Sequence, residues 1–371
     1  MRSKKLFKPF EFKGLKFKNR GVLASMTRCR ANENGIINPW MIDYYRQRAE
    51  SAGLVMTECV FTNVKYNSYL GAGGMSTPEH AKSWRPLVEE VHKVGSYIGA
   101  QVYHPGRGLH PDVSGGECIG PSPIAIIGKT FVRGKMMDYV QPRELKESEI
   151  LKLIDEHENS AKVAKLAGFD IFEVHGANGY LCDQFLRDSS NHRKDKWGGS
   201  LENRCRFVLE VIDRVAKHFP YNRIGIKLSP VGRFQGMKDS DPEGLMKYLL
   251  AQLNQRDLLY VQLMEAESRN LVKVDNGADQ IPNLSKTFRK DFNNIIITNG
   301  FSTPEELIRK VEEGEADMAS FATQFIANPD FLERLKNGWP LASFKTGIEY
   351  SPGPTGYSDF PKYDPTSTTQ K

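Results

Sequence analysis

The feature that most constrains the fold is a strand-then-helix pattern that recurs along the whole chain. Short apolar runs are each followed by a turn and then by a segment with helical periodicity, which is typical of a parallel sheet whose strands are connected by helices. Eight such runs occur, at residues 21–25, 54–59, 97–103, 170–175, 223–228, 258–263, 294–298 and 317–321. Helices are predicted between them at residues 39–52, 79–94, 147–167, 201–218, 242–255 and 304–313.

Eight strand–helix units predict one α/β domain, closed as a (β/α)8 TIM barrel over residues 1–371. A doubly wound sheet also alternates strands with helices. However, no GxGxxG motif follows the first apolar run, and the chain shows no division into two mononucleotide-binding halves. A length of 371 residues lies within the range that a single barrel reaches. The pattern therefore favours the barrel.

Three segments lie outside the repeat. Residues 6–20 alternate apolar and polar side chains around Gly14, which predicts an N-terminal β-hairpin with a solvated basic face. Residues 117–144, rich in glycine and proline, form an insertion after the third strand. We expect this insertion to cap the active site, because the loops that follow the strands build that face of a barrel. Residues 351–371 are predicted to form an irregular tail.

Charge and cysteine content narrow the class of protein. The formal net charge of +6 comes partly from the basic hairpin, so we expect neither nucleic-acid nor membrane binding. The 5 cysteines form no CxxC pair, which argues against a disulfide framework and against a metal site. The sequence shows no secretion signal and no apolar run long enough to cross a bilayer. We expect a cytoplasmic protein, monomer or homodimer, with a small-molecule partner.

Polar residues at the carboxyl ends of the predicted strands are candidate site residues. They are Thr27, Glu58, Gln101, His104, His175, Lys227, Gln262 and Asn299. The densest group is His175, Asn178 and Tyr180, which share a glycine-rich loop. A His and an Asn can together donate hydrogen bonds to one carbonyl oxygen as it gains charge, and a nearby Tyr can supply a proton. The alternative is a loop whose polar groups only satisfy its own backbone.

The residues that follow this group carry a family signature. Residues 175–204 read HGANGYLCDQFLRDSSNHRKDKWGGSLENR, and this stretch resembles the signature of the old yellow enzymes. Further matching segments lie at residues 26–31, 101–107, 325–330 and 356–361. The resemblance therefore covers nearly the whole chain.

This resemblance implies an FMN-dependent ene-reductase with a ping-pong cycle. A reduced nicotinamide, usually NADPH in this family but NADH in some cases, would deliver hydride to the flavin. The reduced flavin would then pass hydride to the β-carbon of an α,β-unsaturated carbonyl compound. By the same resemblance, His175 and Asn178 would hold the substrate oxygen, and Tyr180 would donate the proton to the α-carbon.

The resemblance also implies a set of binding residues. Tyr103 and Tyr357 would line the substrate site with His175 and Asn178; the alternative for both tyrosines is ordinary packing at the barrel rim. Thr27 would hydrogen-bond flavin O4, and Gln101 would bridge flavin N3 and O2, because an amide both donates and accepts. The full cofactor-binding set is Ser25, Met26, Thr27, Cys59, Gln101, Lys227, Asn299, Gly300, Ala322 and Thr323.

Two positions depart from the family pattern. Lys227 stands where the family usually has Arg, which keeps the positive charge but loses the two-pronged donor geometry. Ala322 and Thr323 stand where a Gly-Arg pair usually binds the FMN phosphate, and losing a charge-assisted hydrogen bond costs about 1.5–3 kcal/mol. An alternative is therefore a flavin-deficient barrel that acts as a ligand-binding or regulatory protein. Iron–sulfur dehydrogenases built on a similar barrel are disfavoured, because no cysteine follows Cys205.

Overall fold

The computed structural model describes residues 4–265, 281–300, 303–344 and 347–366. Eight parallel strands form its centre. They are β1 (Gly21–Leu23), β2 (Leu54–Met56), β3 (Tyr97–Tyr103), β4 (Ile171–Gly176), β5 (Ile224–Leu228), β6 (Tyr260–Met264), β7 (Ile295–Asn299) and β8 (Met318–Phe321).

The eight strands close into a barrel in chain order. Each strand pairs in parallel with the next, and β8 returns to β1 through pairs such as Phe321 with Leu23. Helices connect the strands on the outside, as the right-handed β–α–β connection requires. The (β/α)8 TIM-barrel fold predicted from the eight apolar runs is confirmed.

The helices begin where the sequence places capping residues. The helix Pro78–Lys93 starts after Thr77, whose hydroxyl accepts a hydrogen bond from His80 N at 3.3 Å. Two predicted helices, 39–52 and 201–218, extend three residues beyond the observed ends at Ala49 and Val215, and two others extend one residue too far. The helices are α1 (Pro39–Ala49), α2 (Pro78–Lys93), α3 (Pro111–Ser114), α4 (Glu147–Ala167), α5 (Leu181–Leu186), α6 (Leu201–Val215), α7 (Pro242–Gln255), α8 (Leu284–Phe288), α9 (Pro304–Glu312), α10 (Gln324–Ala327) and α11 (Phe331–Asn337).

The amino-terminal half of the barrel interior is apolar, and we call it the lower interior. Every second strand residue points inward, and the fully buried Leu54, Ile171 and Ile297 belong to one cluster. The strands Phe10–Phe12 and Leu15–Phe17 form the antiparallel hairpin that the sequence predicts. Because Leu15 and Phe17 pack into the same cluster, this hairpin closes the lower end of the barrel.

The insertion after β3 contains regular structure of its own. Its strands Lys129–Val132 and Lys135–Asp138 form an antiparallel pair, while Ile119–Gly120 pairs in parallel with Arg143–Glu144. The base of the insertion is tied to the loop that follows β4, since His192 N donates to Ser122 Oγ at 2.9 Å. That the insertion caps the site stays a prediction.

Strand β2 ends earlier than predicted. The chain leaves the barrel after Met56 and returns at the short strand Val60–Phe61, which pairs with the end of β3. Between them, the buried Glu58 carboxylate accepts hydrogen bonds from the backbone N–H groups of Arg28 at 2.8 Å and Gly73 at 3.1 Å. Glu58 thus binds loop segments instead of continuing β2, and the strand ends at Met56.

None of the helices in the described ranges combines the length and the apolar character that crossing a bilayer requires.

Candidate active site

The loop after β4 brings His175 and Tyr180 together. Asn178 and Gly179 both have positive φ, at 58° and 72°, so the chain turns back sharply within the loop. Asn178 N donates to Ser229 Oγ at 2.9 Å, which ties the turn to the end of β5. The turn sets the Tyr180 ring edge-on against His175, with ring centroids 5.0 Å apart and an interplanar angle of 74°.

The His175 ring is buried and lacks a partner on one nitrogen. His175 is only 2% exposed, and its Nδ1 makes no hydrogen bond within the described part of the chain. Burial, helped by the positive charge of Lys227, holds the pKa of His175 well below its usual range. The imidazole is therefore neutral at physiological pH and can donate one N–H to a ligand.

Tyr180 sits in a group of aromatic hydroxyls. Its ring lies 5.0 Å from that of Tyr103, and its hydroxyl oxygen is 2.8 Å from the hydroxyl oxygen of Tyr69. The Tyr103 hydroxyl is in turn 3.0 Å from Ser68 Oγ. Burial raises the pKa of Tyr180 well above its usual value, so the phenol keeps its proton at neutral pH.

Polar side chains replace apolar ones in the carboxyl-terminal half of the barrel interior, which we call the upper interior. Gln101 is fully buried and both ends of its amide are bound: Oε1 accepts from Cys59 Sγ at 3.0 Å, and Nε2 donates to Glu173 Oε1 at 2.5 Å. The other Glu173 oxygen accepts from the Tyr260 hydroxyl at 2.8 Å. These contacts fix the amide orientation and leave Gln101 one N–H and one carbonyl lone pair for a ligand.

Lys227 brings a positive charge into the upper interior. The residue is 5% exposed, and burial lowers the pKa of its ammonium, although the nearby Glu173 carboxylate acts in the opposite direction. The same burial raises the pKa of Glu173, and Lys227 counteracts it. Cys59 stays a neutral thiol, since burial raises its pKa to about 11.

Small and polar residues follow β1, β7 and β8. Ser25, Met26 and Thr27 are half-buried after β1, and the Ser25 hydroxyl lies 4.0 Å from Cys59 Sγ. Gly300 has a φ of 143°, and a Cβ at this position would come within 3.2 Å of the Glu265 backbone. Only glycine fits there without strain.

The loop after β8 provides the other half of this region. Asn299 Nδ2 donates to Ser320 O at 3.1 Å, which links the ends of β7 and β8. Ala322 is half-buried and Thr323 is exposed at the start of α10. A phosphate here would meet a hydroxyl and backbone N–H groups from these residues.

Tyr357 has different neighbours from the other predicted substrate residues. Its ring stacks on Tyr44, with centroids 4.1 Å apart, and it lies 4.8 Å from the guanidinium carbon of Arg30. Its ring contacts are with Tyr44 and arginines instead of Tyr103 or Tyr180. Tyr103 instead lies beside Tyr180, and the substrate-site roles of both tyrosines stay predictions.

Sequence reasoning missed two members of the site. Tyr69 contacts Tyr180 across 111 positions of sequence, and only the glycine-rich run that follows it, Gly71 to Gly74, hinted that this loop approaches another part of the backbone. Glu173 is not among the residues that the sequence analysis assigns to the site. The alternation of β4 would have placed it on the same face as His175, facing Gln101.

Comparison with known proteins identifies the family. A family model described as the NADH:flavin oxidoreductase / NADH oxidase family matches residues 5–342. The chain belongs to this family. A probable flavin mononucleotide-dependent alkene reductase of Leishmania infantum is 36% identical over 363 residues, covering 96% of this chain and 97% of that protein.

Comparison with solved structures points to the same family. An old yellow enzyme homologue from Zymomonas mobilis superposes with a TM-score of 0.92 at 34% identity, covering 97% of this chain and 100% of that one. Morphinone reductase in complex with tetrahydroNAD gives a TM-score of 0.89 at 33% identity, covering 97% and 98% of the two chains. The resemblance to the old yellow enzymes is confirmed, and the chain is a flavin oxidoreductase of that type that uses FMN and a nicotinamide.

The residues present fit FMN. Gln101 and Lys227 offer donors and an acceptor for the polar edge of a flavin ring, and Thr323 at the start of α10 offers a hydroxyl for a phosphate. The buried His175 Nδ1 and both amide atoms of Gln262 have no partner in the described chain. Orphaned polar atoms of this kind are costly unless a ligand or water binds them.

Proposed function

We propose that this chain reduces the activated C=C bond of α,β-unsaturated carbonyl compounds, with His175, Asn178 and Tyr180 as the groups that act on the substrate. The observation that carries the proposal is the contact between two rings at one strand end. One is the neutral imidazole of His175, whose Nδ1 has no hydrogen-bond partner in the described chain, and the other is the protonated phenol of Tyr180. Bound FMN supplies the hydride for the β-carbon, after taking it from NADPH or NADH.

His175 and Asn178 bind the substrate carbonyl oxygen. Each donates a hydrogen bond, and these bonds strengthen as negative charge moves onto the oxygen during hydride addition. The low pKa of His175 matters here, because a neutral imidazole holds the oxygen without protonating it. The positive φ of Asn178 supports this role, since it turns the loop toward the end of β5.

Tyr180 donates its hydroxyl proton to the α-carbon. The C=C bond thereby gains hydride at one carbon and a proton at the other, and water returns a proton to the phenolate. The Tyr69 hydroxyl, 2.8 Å from that of Tyr180, can donate a hydrogen bond to the phenolate oxygen as it forms. An intact Tyr180 favours net reduction over isomerisation.

The flavin-binding roles rest on charge and donor geometry. Lys227 provides positive charge for the reduced flavin, and Thr27 and Gln101 provide hydrogen bonds to the ring. Asn299, Gly300, Ala322 and Thr323 take the phosphate through N–H and hydroxyl groups. Because no arginine stands at position 323, we expect FMN affinity below that of relatives that carry one, by about tenfold to a hundredfold.

The test is anaerobic spectroscopy of the purified protein. NADPH or NADH is expected to bleach the flavin absorbance, and cyclohexenone is expected to restore it, whereas the saturated ketone cyclohexanone is expected to leave it bleached. The faster of the two nicotinamides identifies the donor. A protein that stays colourless at high FMN would instead support the flavin-deficient barrel, and restoration by cyclohexanone would contradict alkene reduction.

A further inference from the structure

Gln262 is a strand-end residue from the sequence analysis whose side-chain amide has no role so far. It lies on β6, is 0% exposed, and neither its Nε2 nor its Oε1 finds a hydrogen-bond partner within the described chain. An unbound amide end in a protein interior is destabilising, because it has lost its hydrogen bonds to water without gaining others. Two such ends on one side chain indicate that something other than the described protein binds them.

The position of Gln262 is fixed by its neighbours. Tyr260, two residues earlier on β6, points into the barrel, because its hydroxyl reaches Glu173 on β4 at 2.8 Å. Alternate residues of a strand share a face, so Gln262 also points inward, one layer nearer the carboxyl end. Its register partner on β5 is Lys227, which we place at the flavin ring.

A comparison with Gln101 shows what is unusual about Gln262. Both glutamines are 0% exposed and both lie in the upper interior. Gln101 is bound at both ends by Cys59 and Glu173, so its orientation is set by the protein. No residue of the described chain binds either end of Gln262, so the described protein does not set its orientation.

The chemistry of an amide identifies the kind of ligand group. One end of Gln262 donates and the other accepts, so a ligand group that does both satisfies the amide. The phosphate and the dimethylbenzene edge of FMN do not offer both, and the pyrimidine edge of the ring, which does, is the part that we assign to Gln101. The hydroxyl groups of the polyol chain also donate and accept, and that chain would connect a ring held by Lys227 with a phosphate held near Gly300.

We propose that Gln262 is a further cofactor-binding residue, whose amide exchanges hydrogen bonds with hydroxyl groups of the FMN polyol chain. This inference rests on FMN binding by the family and assigns a residue that neither the resemblance nor the comparisons assign. It also gives a source of affinity at a site where the phosphate lacks an arginine at position 323.

The experiment compares two ligands on the flavin-free protein. Riboflavin carries the polyol chain, and 7,8-dimethyl-10-pentylisoalloxazine carries a chain of equal length without hydroxyls. Gln262→Met keeps the side-chain length and removes both polar ends. Dissociation constants come from quenching of flavin fluorescence, and the free energy of unfolding of the flavin-free protein is measured by urea denaturation.

We expect Gln262→Met to weaken riboflavin binding about fivefold to thirtyfold, the effect of two neutral hydrogen bonds, and to change binding of the pentyl analogue by less than about twofold. The flavin-free variant is expected to be at least as stable as the wild type, because an unbound amide is removed. Gln262→Leu is expected to give the same pattern and replaces the methionine variant if that variant does not fold.

Two outcomes would overturn the proposal. Unchanged riboflavin affinity would mean that internal water binds the amide. Equal weakening of both flavins would mean that Gln262 acts on the ring or on the fold, and not on the polyol chain.

Discussion

The lower and upper interior of the barrel lie on the same eight strands yet hold opposite kinds of side chain. On β4, Ile171 packs in the apolar cluster, whereas Glu173, two residues later on the same face, binds Gln101 and Tyr260. On β7, Ile295 and Ile297 are apolar, and the strand then ends at Asn299.

This difference separates stability from chemistry within one core. The lower interior is sealed by the hairpin and its apolar groups need no partner outside the protein. The upper interior holds buried ionisable groups with shifted pKa values, such as His175, Lys227 and Glu173. Buried groups of this kind reduce stability unless a ligand or a partner group binds them, and they are typical of functional sites.

The largest expected effect belongs to the upper interior. Tyr180→Phe removes the proton donor and should slow reoxidation of the reduced enzyme by cyclohexenone about 10²–10⁴-fold. Reduction of the enzyme by NADPH should change less than about threefold, because the hydroxyl contacts only Tyr69 in the described chain. Stopped-flow absorbance measures both rates separately. Equal slowing of both would show that Tyr180 acts through flavin binding and not through proton donation.

In the lower interior, Ile297→Ala should have the opposite profile. Ile297 is fully buried, so the truncation should lower the free energy of unfolding by about 2–5 kcal/mol through lost burial and a residual cavity. Urea denaturation of the flavin-free protein measures it. The FMN dissociation constant should stay within about threefold of the wild-type value. A tenfold change would contradict the idea that the lower interior determines stability and the upper interior determines ligand binding.

Gln101 lies between these extremes and should affect both properties. Gln101→Leu removes one donor from the buried Glu173 carboxylate, so we expect a loss of about 1.5–3 kcal/mol of unfolding free energy together with weaker FMN binding. Gln262→Met serves as its matched control, since Gln262 has no described protein partner. If Gln262→Met lowered the free energy of unfolding as much as Gln101→Leu, the Gln262 amide would have a hydrogen-bond partner in the protein.

The smallest expected effect concerns pH: the rate of the cyclohexenone half-reaction should not depend on it near neutrality. An unperturbed His titrates near about 6.5 and a Tyr near about 10. Burial shifts the pKa of His175 downward and that of Tyr180 upward, so both stay neutral throughout the interval between these values. The rate of the cyclohexenone half-reaction should therefore be flat from about pH 6.5 to about pH 9. A fall in this rate at acid pH, centred near the usual histidine pKa, would contradict the prediction. If the fall were absent in His175→Asn, it would show that the His175 imidazole titrates normally.

The barrel could be predicted from sequence because its signal is local. Apolar runs of the right length recur eight times, and each one became a strand. The end of β2 could not be predicted, because Glu58 is held by N–H groups of Arg28 and Gly73, and periodicity carries no information on such contacts.

The site was predictable to the extent that it lies on strands. Gln101, His175, Lys227 and Gln262 could be proposed because the carboxyl ends of barrel strands converge, and their roles stay predictions. Tyr69 was not found, because it belongs to a loop whose position depends on tertiary packing. The stacking of Tyr357 on Tyr44 could not be predicted either, because it joins residues far apart in the sequence, and the substrate role of Tyr357 stays a prediction.

The most direct test of the central claim, that the upper interior adds hydride and a proton across an activated C=C bond, is the position of deuterium in the product. Cyclohexenone is reduced once with deuterated nicotinamide in H₂O and once with unlabelled NADPH in D₂O, and the products are analysed by NMR. We expect deuterium at the β-carbon in the first case and at the α-carbon in the second. Deuterium at the carbonyl carbon, or product without label from the nicotinamide, would contradict it.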